Sequence, residues 1–166
     1  MSRPPYLICL LLGSNIEAES NLPRAVNLLQ EELTVLQTSS VWESRAIGSD
    51  GPNFLNAALL ALSPLDAEGL KENLIRPLEA RMGRVRTEDK NAPRTIDIDL
   101  ILFDGEVLDS QLWQFAHLAV PVSELLSDYS SGSGESLKDM VPTLLSTAAI
   151  WIREDISDYP FATVMQ

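Results

Sequence analysis

The stretch Arg94-Thr95-Ile96-Asp97-Ile98-Asp99-Leu100-Ile101-Leu102-Phe103 alternates polar and apolar residues from Thr95 to Leu100 and stays apolar until it meets Asp104-Gly105. A period of two ended by a hairpin dipeptide predicts a half-buried strand over 95–103 that turns back at Val107-Leu108. Side chains two apart on a strand share a face, so Asp97 and Asp99 stand together, roughly 7 Å apart along the strand. Ile96, Ile98, Leu100 and Leu102 then point the other way, into a core. Two carboxylates on one face of an apolar strand repel each other and resist leaving water, and a bound divalent cation relieves both difficulties. Taken alone, the pair is a weak signal, and a solvated strand face without a role is the readier reading of it.

Upstream, residues 6–12 are apolar throughout and end at Gly13-Ser14-Asn15, the pattern of a central strand covered on both faces. Leu22, Val26, Leu29, Leu33 and Leu36 recur at helical spacing. Residues 38–44 mix Val, Trp, Ser and Thr as a strand does, Gly48, Gly51 and Pro52 mark a loop, and 54–62 is a second apolar strand. Ser63-Pro64 opens another helix with Leu70, Leu74 and Leu78 on one face, and Pro77 inside it predicts a kink. Beyond the hairpin, 122–126 reads as a short helix, 130–136 as a Ser/Gly-rich loop, and 137–152 as helix then strand. The order strand, helix, strand, strand, helix, strand describes a ferredoxin-like α+β fold, an antiparallel sheet with both helices on one face. With no internal repeat, residues 1–166 read as a single domain.

The chain has 166 residues, 45% of them hydrophobic, enough for a core without disulfides. Cys9, in an apolar run, is expected to be a buried structural thiol in a reducing, cytoplasmic setting. Residues 7–12 read as a buried strand rather than a secretory leader, and no apolar stretch is long enough to cross a bilayer. A formal charge of −12 argues against nucleic acid or an anionic membrane as main partner. Of the 12 cations, Arg76, Arg81, Arg84, Arg86, Lys90 and Arg94 are gathered between positions 76 and 94. Guanidinium groups clamp phosphate oxygens, so a basic loop beside paired acids suits a magnesium polyphosphate. Simple pairing with the chain's 24 acids is the competing reading of those arginines.

Gly83-Arg84-Val85-Arg86, followed by the run from Pro93 to Phe103, resembles the signature region of the hydroxymethyldihydropterin pyrophosphokinases. Leu12-Gly13-Ser14-Asn15, Ser39-Ser40 and Phe54-Leu55-Asn56-Ala57-Ala58 are similar to further motifs of that family, in the same order, over residues 6–109. The resemblance implies ATP-dependent pyrophosphoryl transfer to 6-hydroxymethyl-7,8-dihydropterin in folate synthesis, with AMP released; separately, a monomer is the expectation for the chain. It implies that Asp97 and Asp99 hold two magnesium ions and that Arg84 and Arg94 contact the triphosphate as catalytic residues. Arg86, Ile98 and His117 fall on its nucleotide side; Ser44, Ile47, Phe54 and Asn56 fall on its pterin side. Glu79 matches a family acid, and pairing with a nearby arginine is an equal reading of it.

The sequence departs from the family in three places. Asn91 stands where a stacking Trp is usual, Lys90 replaces an Arg, and the stretch after His117 is shortened, removing an Arg and a stacking Phe. Phe115 or Trp113 is then the candidate replacement aromatic. Residues 130–166 match nothing in the family. Two alternatives remain at this level. One is a pterin- or nucleotide-binding relative with weakened catalysis. The other is a metal-dependent nuclease or nucleotidyltransferase built on the Asp pair, which the negative charge disfavours.

Overall fold

The computed structural model describes residues 4–46, 50–85, 88, 92–130 and 134–156. Strand β1 (Tyr6–Ser14) is apolar on both faces because it lies mid-sheet, with β4 (Phe54–Ser63) on one edge and β5 (Asp97–Phe103) on the other. Helix α1 (Ala18–Glu32) and strands β2 (Thr34–Thr38) and β3 (Trp42–Ser44) lie between β1 and β4 in sequence. After β4 come α2 (Ala67–Gly69), a π-helical turn (Leu70–Ile75) and α3 (Arg76–Arg81). Strand β6 (Glu106–Val107), α4 (Ala116–Ser123), α5 (Leu137–Thr147) and β7 (Ile150–Ile152) complete the chain. The sheet order is β6-β5-β1-β4-β3-β7, β2 also pairs with β4, and the pairings are antiparallel. This is the expected α+β class.

Leu22, Val26 and Leu29 of α1 and Leu70, Leu74 and Leu78 of the second helical segment close on Ile8, Leu10, Leu12, Ile98 and Leu100. Each fully buried leucine contributes about 1.5–3 kcal/mol. These two helical segments share a face, as the element order predicts. The other face is covered as well: Leu118, Ala119 and Val122 of α4 and Leu137 of α5 pack on Cys9, Leu11, Ala58 and Ile101. Burial pushes the Cys9 thiol up to about 12, so it stays protonated and unreactive.

Five local expectations are corrected. Helix α1 stops at Glu32, so Leu33 caps it in an extended conformation and Leu36 falls in β2 and not on the helical stripe. The strand expected over 38–44 is two strands, and Ser39 bridges the break. Its N–H donates to Ala58 O (2.9 Å) and its Oγ accepts the Ala58 N–H (2.8 Å), so a hydroxyl replaces a ladder carbonyl. The alternation of 95–103 fails at a bulge: Cys9 pairs with Leu102 but Leu10 with Leu100, which leaves Ile101 as an extra residue. Leu102 is thereby turned onto the α4 face, away from Ile98. Pro77 does not interrupt a regular α-helix, because the preceding turn is already widened. The Arg76 N–H reaches back to Lys71 O, and Pro77 sits at the start of α3, where a missing N–H costs little. The short helix expected at 122–126 begins earlier, at Ala116. The hairpin is as read, with positive φ at Asp104 (50°) and Gly105 (93°), as a type I′ turn requires. Among the described residues no helix is long and apolar enough to cross a membrane.

Candidate active site

Helices α4 and α5 cover only part of their sheet face. Beside them opens a cavity of about 440 Å³. Leu11 and Gly13 of β1 line it centrally, Ser44, Arg45, Phe54 and Asn56 on the β3–β4 side, and Arg94, Asp97 and Asp99 on the β5 side. Asp109, Gln111, Phe115, His117 and Leu118 come from the segment after β6. Gly13 keeps the centre open: a Cβ there would lie 3.5 Å from Asn56 Oδ1 and 3.6 Å from Phe54 Cδ1.

On the β4 side, buried Asn56 is oriented by its neighbours. Its Nδ2 donates to Trp42 O (3.1 Å) and to Ser44 Oγ (2.8 Å). A carbonyl can only accept, so the Trp42 contact fixes which end of the amide is nitrogen. With both amide hydrogens committed, Oδ1 is the end left to accept from a ligand. Asn15 performs a similar service across the cavity. Its Oδ1 accepts the Arg94 N–H (2.7 Å), its own N–H donates to Arg94 O (3.1 Å), and its Nδ2 reaches Pro52 O (3.2 Å). The Gly-Ser-Asn motif therefore supplies an open floor and a backbone clamp.

On the β5 side, the Arg84 Nη1 donates to Glu79 Oε2 and Asp97 Oδ1, both at 2.8 Å, with the arginine side chain only 10% exposed. Glu79 Oε2 also accepts the Ile98 N–H (2.9 Å). Glu79 thus pairs with an arginine, one of its two sequence readings, and at the same time ties α3 to β5. Arg94 Nη1 meets the other oxygen of Asp97 at 3.2 Å. Asp97 is neutralised from both sides, whereas among the described residues Asp99 has no such ion pair. Burial, then the charges of Asp97, Asp109 and Glu79, outweigh Arg84 and raise the Asp99 carboxyl from 3.8 to about 7. His117 is shifted down by burial, with Asp109 and Asp97 opposing, so neutral imidazole is favoured.

No three His, Cys, Asp or Glu side chains among the described residues are placed to hold a metal by themselves. Asp97 and Asp99 nonetheless fit a hard cation that takes its remaining oxygens from a substrate and water. The donors are carboxylates, they share one strand face, and the charge between them is incompletely balanced.

The structure brings Ser44, Phe54, Asn56, Arg94, Asp97, Asp99 and His117 to one cavity. Arg84 stands behind Asp97, held by ion pairs. The Ile98 side chain lies on the opposite face among the α1–α3 core residues, so it does not line the cavity. Ile47, Arg86, Lys90 and Asn91 fall outside the described residues. Trp113 stacks on Tyr129 at 6.3 Å between ring centroids, which leaves Phe115 as the aromatic of that pair that faces the cavity. Arg45, Asp109 and Gln111 were not anticipated. Asp109 follows the hairpin return with no periodic pattern around it, and its local task, accepting the Gln111 N–H (3.0 Å), gives no sequence signal of the cavity.

A family model described as 7,8-dihydro-6-hydroxymethylpterin-pyrophosphokinase (HPPK) matches residues 9–127. The 2-amino-4-hydroxy-6-hydroxymethyldihydropteridine pyrophosphokinase of Aquifex aeolicus is 36% identical over 108 residues, 64% of this chain and 66% of that protein. Its Bacillus subtilis counterpart is 38% identical over 104 residues, 60% of this chain and 61% of that protein. The match thus spans somewhat less than two-thirds of the length of either relative. Among solved structures, Plasmodium falciparum HPPK-DHPS wild type with pteroate aligns at a TM-score of 0.65 and 10% identity, covering 88% of this chain and 44% of that one. That likeness is one of fold. The motifs, the fold and the matched span agree: the chain belongs to the 7,8-dihydro-6-hydroxymethylpterin-pyrophosphokinase family.

Proposed function

We propose that this chain transfers the terminal diphosphate of ATP to the hydroxymethyl oxygen of 6-hydroxymethyl-7,8-dihydropterin, releasing AMP, as a cytoplasmic, monomeric enzyme of folate synthesis. One observation carries the reading. A single cavity places an amide-and-aromatic half, with Asn56, Ser44, Phe54 and Phe115, beside an acid-and-arginine half, with Asp97, Asp99 and Arg94. The first half suits a flat heterocycle with N–H donors, which Asn56 Oδ1 accepts. The second suits a polyphosphate. Magnesium, read as two ions held by Asp97 and Asp99, would supply charge neutralisation on the transferring phosphates.

The hydroxymethyl oxygen attacks the β-phosphorus in line. The bond from that phosphorus to the oxygen bridging it to the α-phosphorus breaks, its electron pair leaves with AMP, and the hydroxyl proton passes to water. Arg84 and Arg94 share out the negative charge that builds on the transferring group, aided by Arg86 in the sequence-based assignment. Asn56 and Phe54 hold the alcohol at attack distance, where most of the acceleration arises from positioning. His117, kept neutral by burial, donates an N–H on the nucleotide side. Ile98 contributes there through its backbone, which Glu79 anchors.

The test is turnover of Asp97→Ala and Asp99→Ala with ATP, magnesium and the pterin alcohol. Each variant is expected to fold and to lose on the order of a thousandfold in rate, the scale of a removed electrostatic stabiliser. Near-normal turnover in either would remove the metal assignment and the chemistry built on it.

A further inference from the structure

We propose that α5 and β7 form a positioning brace for the pterin half of the cavity, with Arg153 as its latch. The inference rests on the function proposed above. Both elements lie beyond residue 127, where the family match ends.

Strand β3, which carries Ser44, has only three residues and makes a weak edge by itself. Strand β7 pairs along its outer side, Trp42 with Ile152, Glu43 with Trp151 and Ser44 with Ile150. The Arg45 N–H adds a bond to Ala149 O at 3.3 Å. Ile150 is buried against Ala116 and Val120 of α4, and Ala116 lies between the cavity residues Phe115 and His117. One short strand therefore touches both the β3 wall and the α4 wall.

Arg153 closes this arrangement. Its N–H donates to Val41 O (2.8 Å), its Nη1 meets Glu43 Oε1 on β3 (2.6 Å), and its Nη2 meets Glu19 Oε1 on α1 (3.0 Å). Asp155 takes Nε and Nη2 at 2.8 and 2.7 Å, which holds the guanidinium plane. The other Glu43 oxygen accepts from Asn53 Nδ2 at 2.9 Å, one residue before the cavity residue Phe54. A single guanidinium thus links β7, β3 and, through Glu43 and Asn53, the start of β4. The nucleotide half is anchored separately, by Glu79 on Arg84 and Ile98 and by Asn15 on Arg94. Loosening the brace should therefore disturb one half of the cavity and spare the other.

The experiment compares the unmodified chain with Arg153→Ala, Glu43→Gln and Glu19→Gln by amide hydrogen exchange and by calorimetry. The titrants are a non-hydrolysable ATP analogue with magnesium, then the pterin alcohol. In Arg153→Ala, exchange at residues 43–45 is expected to quicken by about tenfold, with residues 97–100 unchanged. Pterin binding weakens by about three- to tenfold while the nucleotide dissociation constant stays within about twofold. Glu43→Gln reproduces the effect and adds little to Arg153→Ala, whereas Glu19→Gln leaves both affinities unchanged. Unchanged exchange at β3, or equal loss of both ligands with faster exchange throughout, would overturn the brace. If the unmodified chain binds the nucleotide analogue but no pterin, the functional reading fails, and the exchange measurement still decides the brace.

Discussion

Replacing Asp99 by Asn should make the metal-free, ligand-free protein more stable at neutral pH while abolishing its activity. The native carboxyl titrates at about 7 against an ordinary 3.8, chiefly because it is buried and then because Asp97, Asp109 and Glu79 face it. A carboxyl held high in the folded state adds stability that is complete below the unfolded value. That contribution drains away as the pH rises towards the folded value, because the unfolded chain has already lost its proton. At about 1.4 kcal/mol for each tenfold change in proton affinity, the ionised side chain costs the fold up to ~4 kcal/mol above neutrality. Asparagine keeps the shape, carries no charge, and finds acceptors in the surrounding carboxylates. Urea denaturation from pH 4 to pH 8.5 is the assay, read as the difference between the two proteins so that other titrating groups cancel. The curves should nearly coincide at pH 4 and separate in favour of the Asp99→Asn variant until about pH 7, then run parallel. Magnesium with ATP should stabilise the parent far more than the variant. Parallel curves over the whole range, or a less stable variant at pH 8, would refute the electrostatic account of the cavity.

Two further substitutions separate binding from folding. Phe115→Ala should weaken pterin binding by roughly two- to tenfold, the worth of one aromatic face, whereas Trp113→Ala should lower the melting temperature and spare affinity, since its ring stacks on Tyr129; calorimetry and thermal melts that show the reverse would exchange their roles. Glu79→Ala should destabilise the fold by about 1–3 kcal/mol, because it removes the acceptor of the buried Ile98 N–H and leaves Arg84 to Asp97, and should weaken nucleotide binding in equilibrium titrations. A variant that loses stability but binds ATP normally would restrict Glu79 to a structural part.

The strand that carries Asp97 and Asp99 was legible because a two-residue period and a following Asp-Gly leave few other conformations. What happened beyond Leu100 was not. Ile101 and Leu102 are both apolar and both faces of the sheet are buried there, so nothing in the residue types marks a bulge. Helix α4 was misplaced for a related reason: Ala116 to Val122 is buried almost all round, except at His117, and shows no amphipathic stripe. The acid pair and its arginines could be read as a cluster, but their division of labour could not. Asp97 is neutralised by Arg84 and Arg94 while, among the described residues, the like charges around Asp99 outweigh Arg84, and that depends on Glu79 and Asp109, which are distant from the strand in sequence or out of its register. Arg153 joins residues 110 and 134 positions away, a contact that no local pattern announces.

Product identity tests the central claim most directly. Purified chain is incubated with ATP, magnesium and 6-hydroxymethyl-7,8-dihydropterin, and nucleotides and pterins are quantified together by chromatography. The account predicts AMP and the pterin diphosphate in equal amounts, and no AMP when the pterin is left out. Formation of ADP with a pterin monophosphate, or AMP release that does not depend on the pterin, would contradict it.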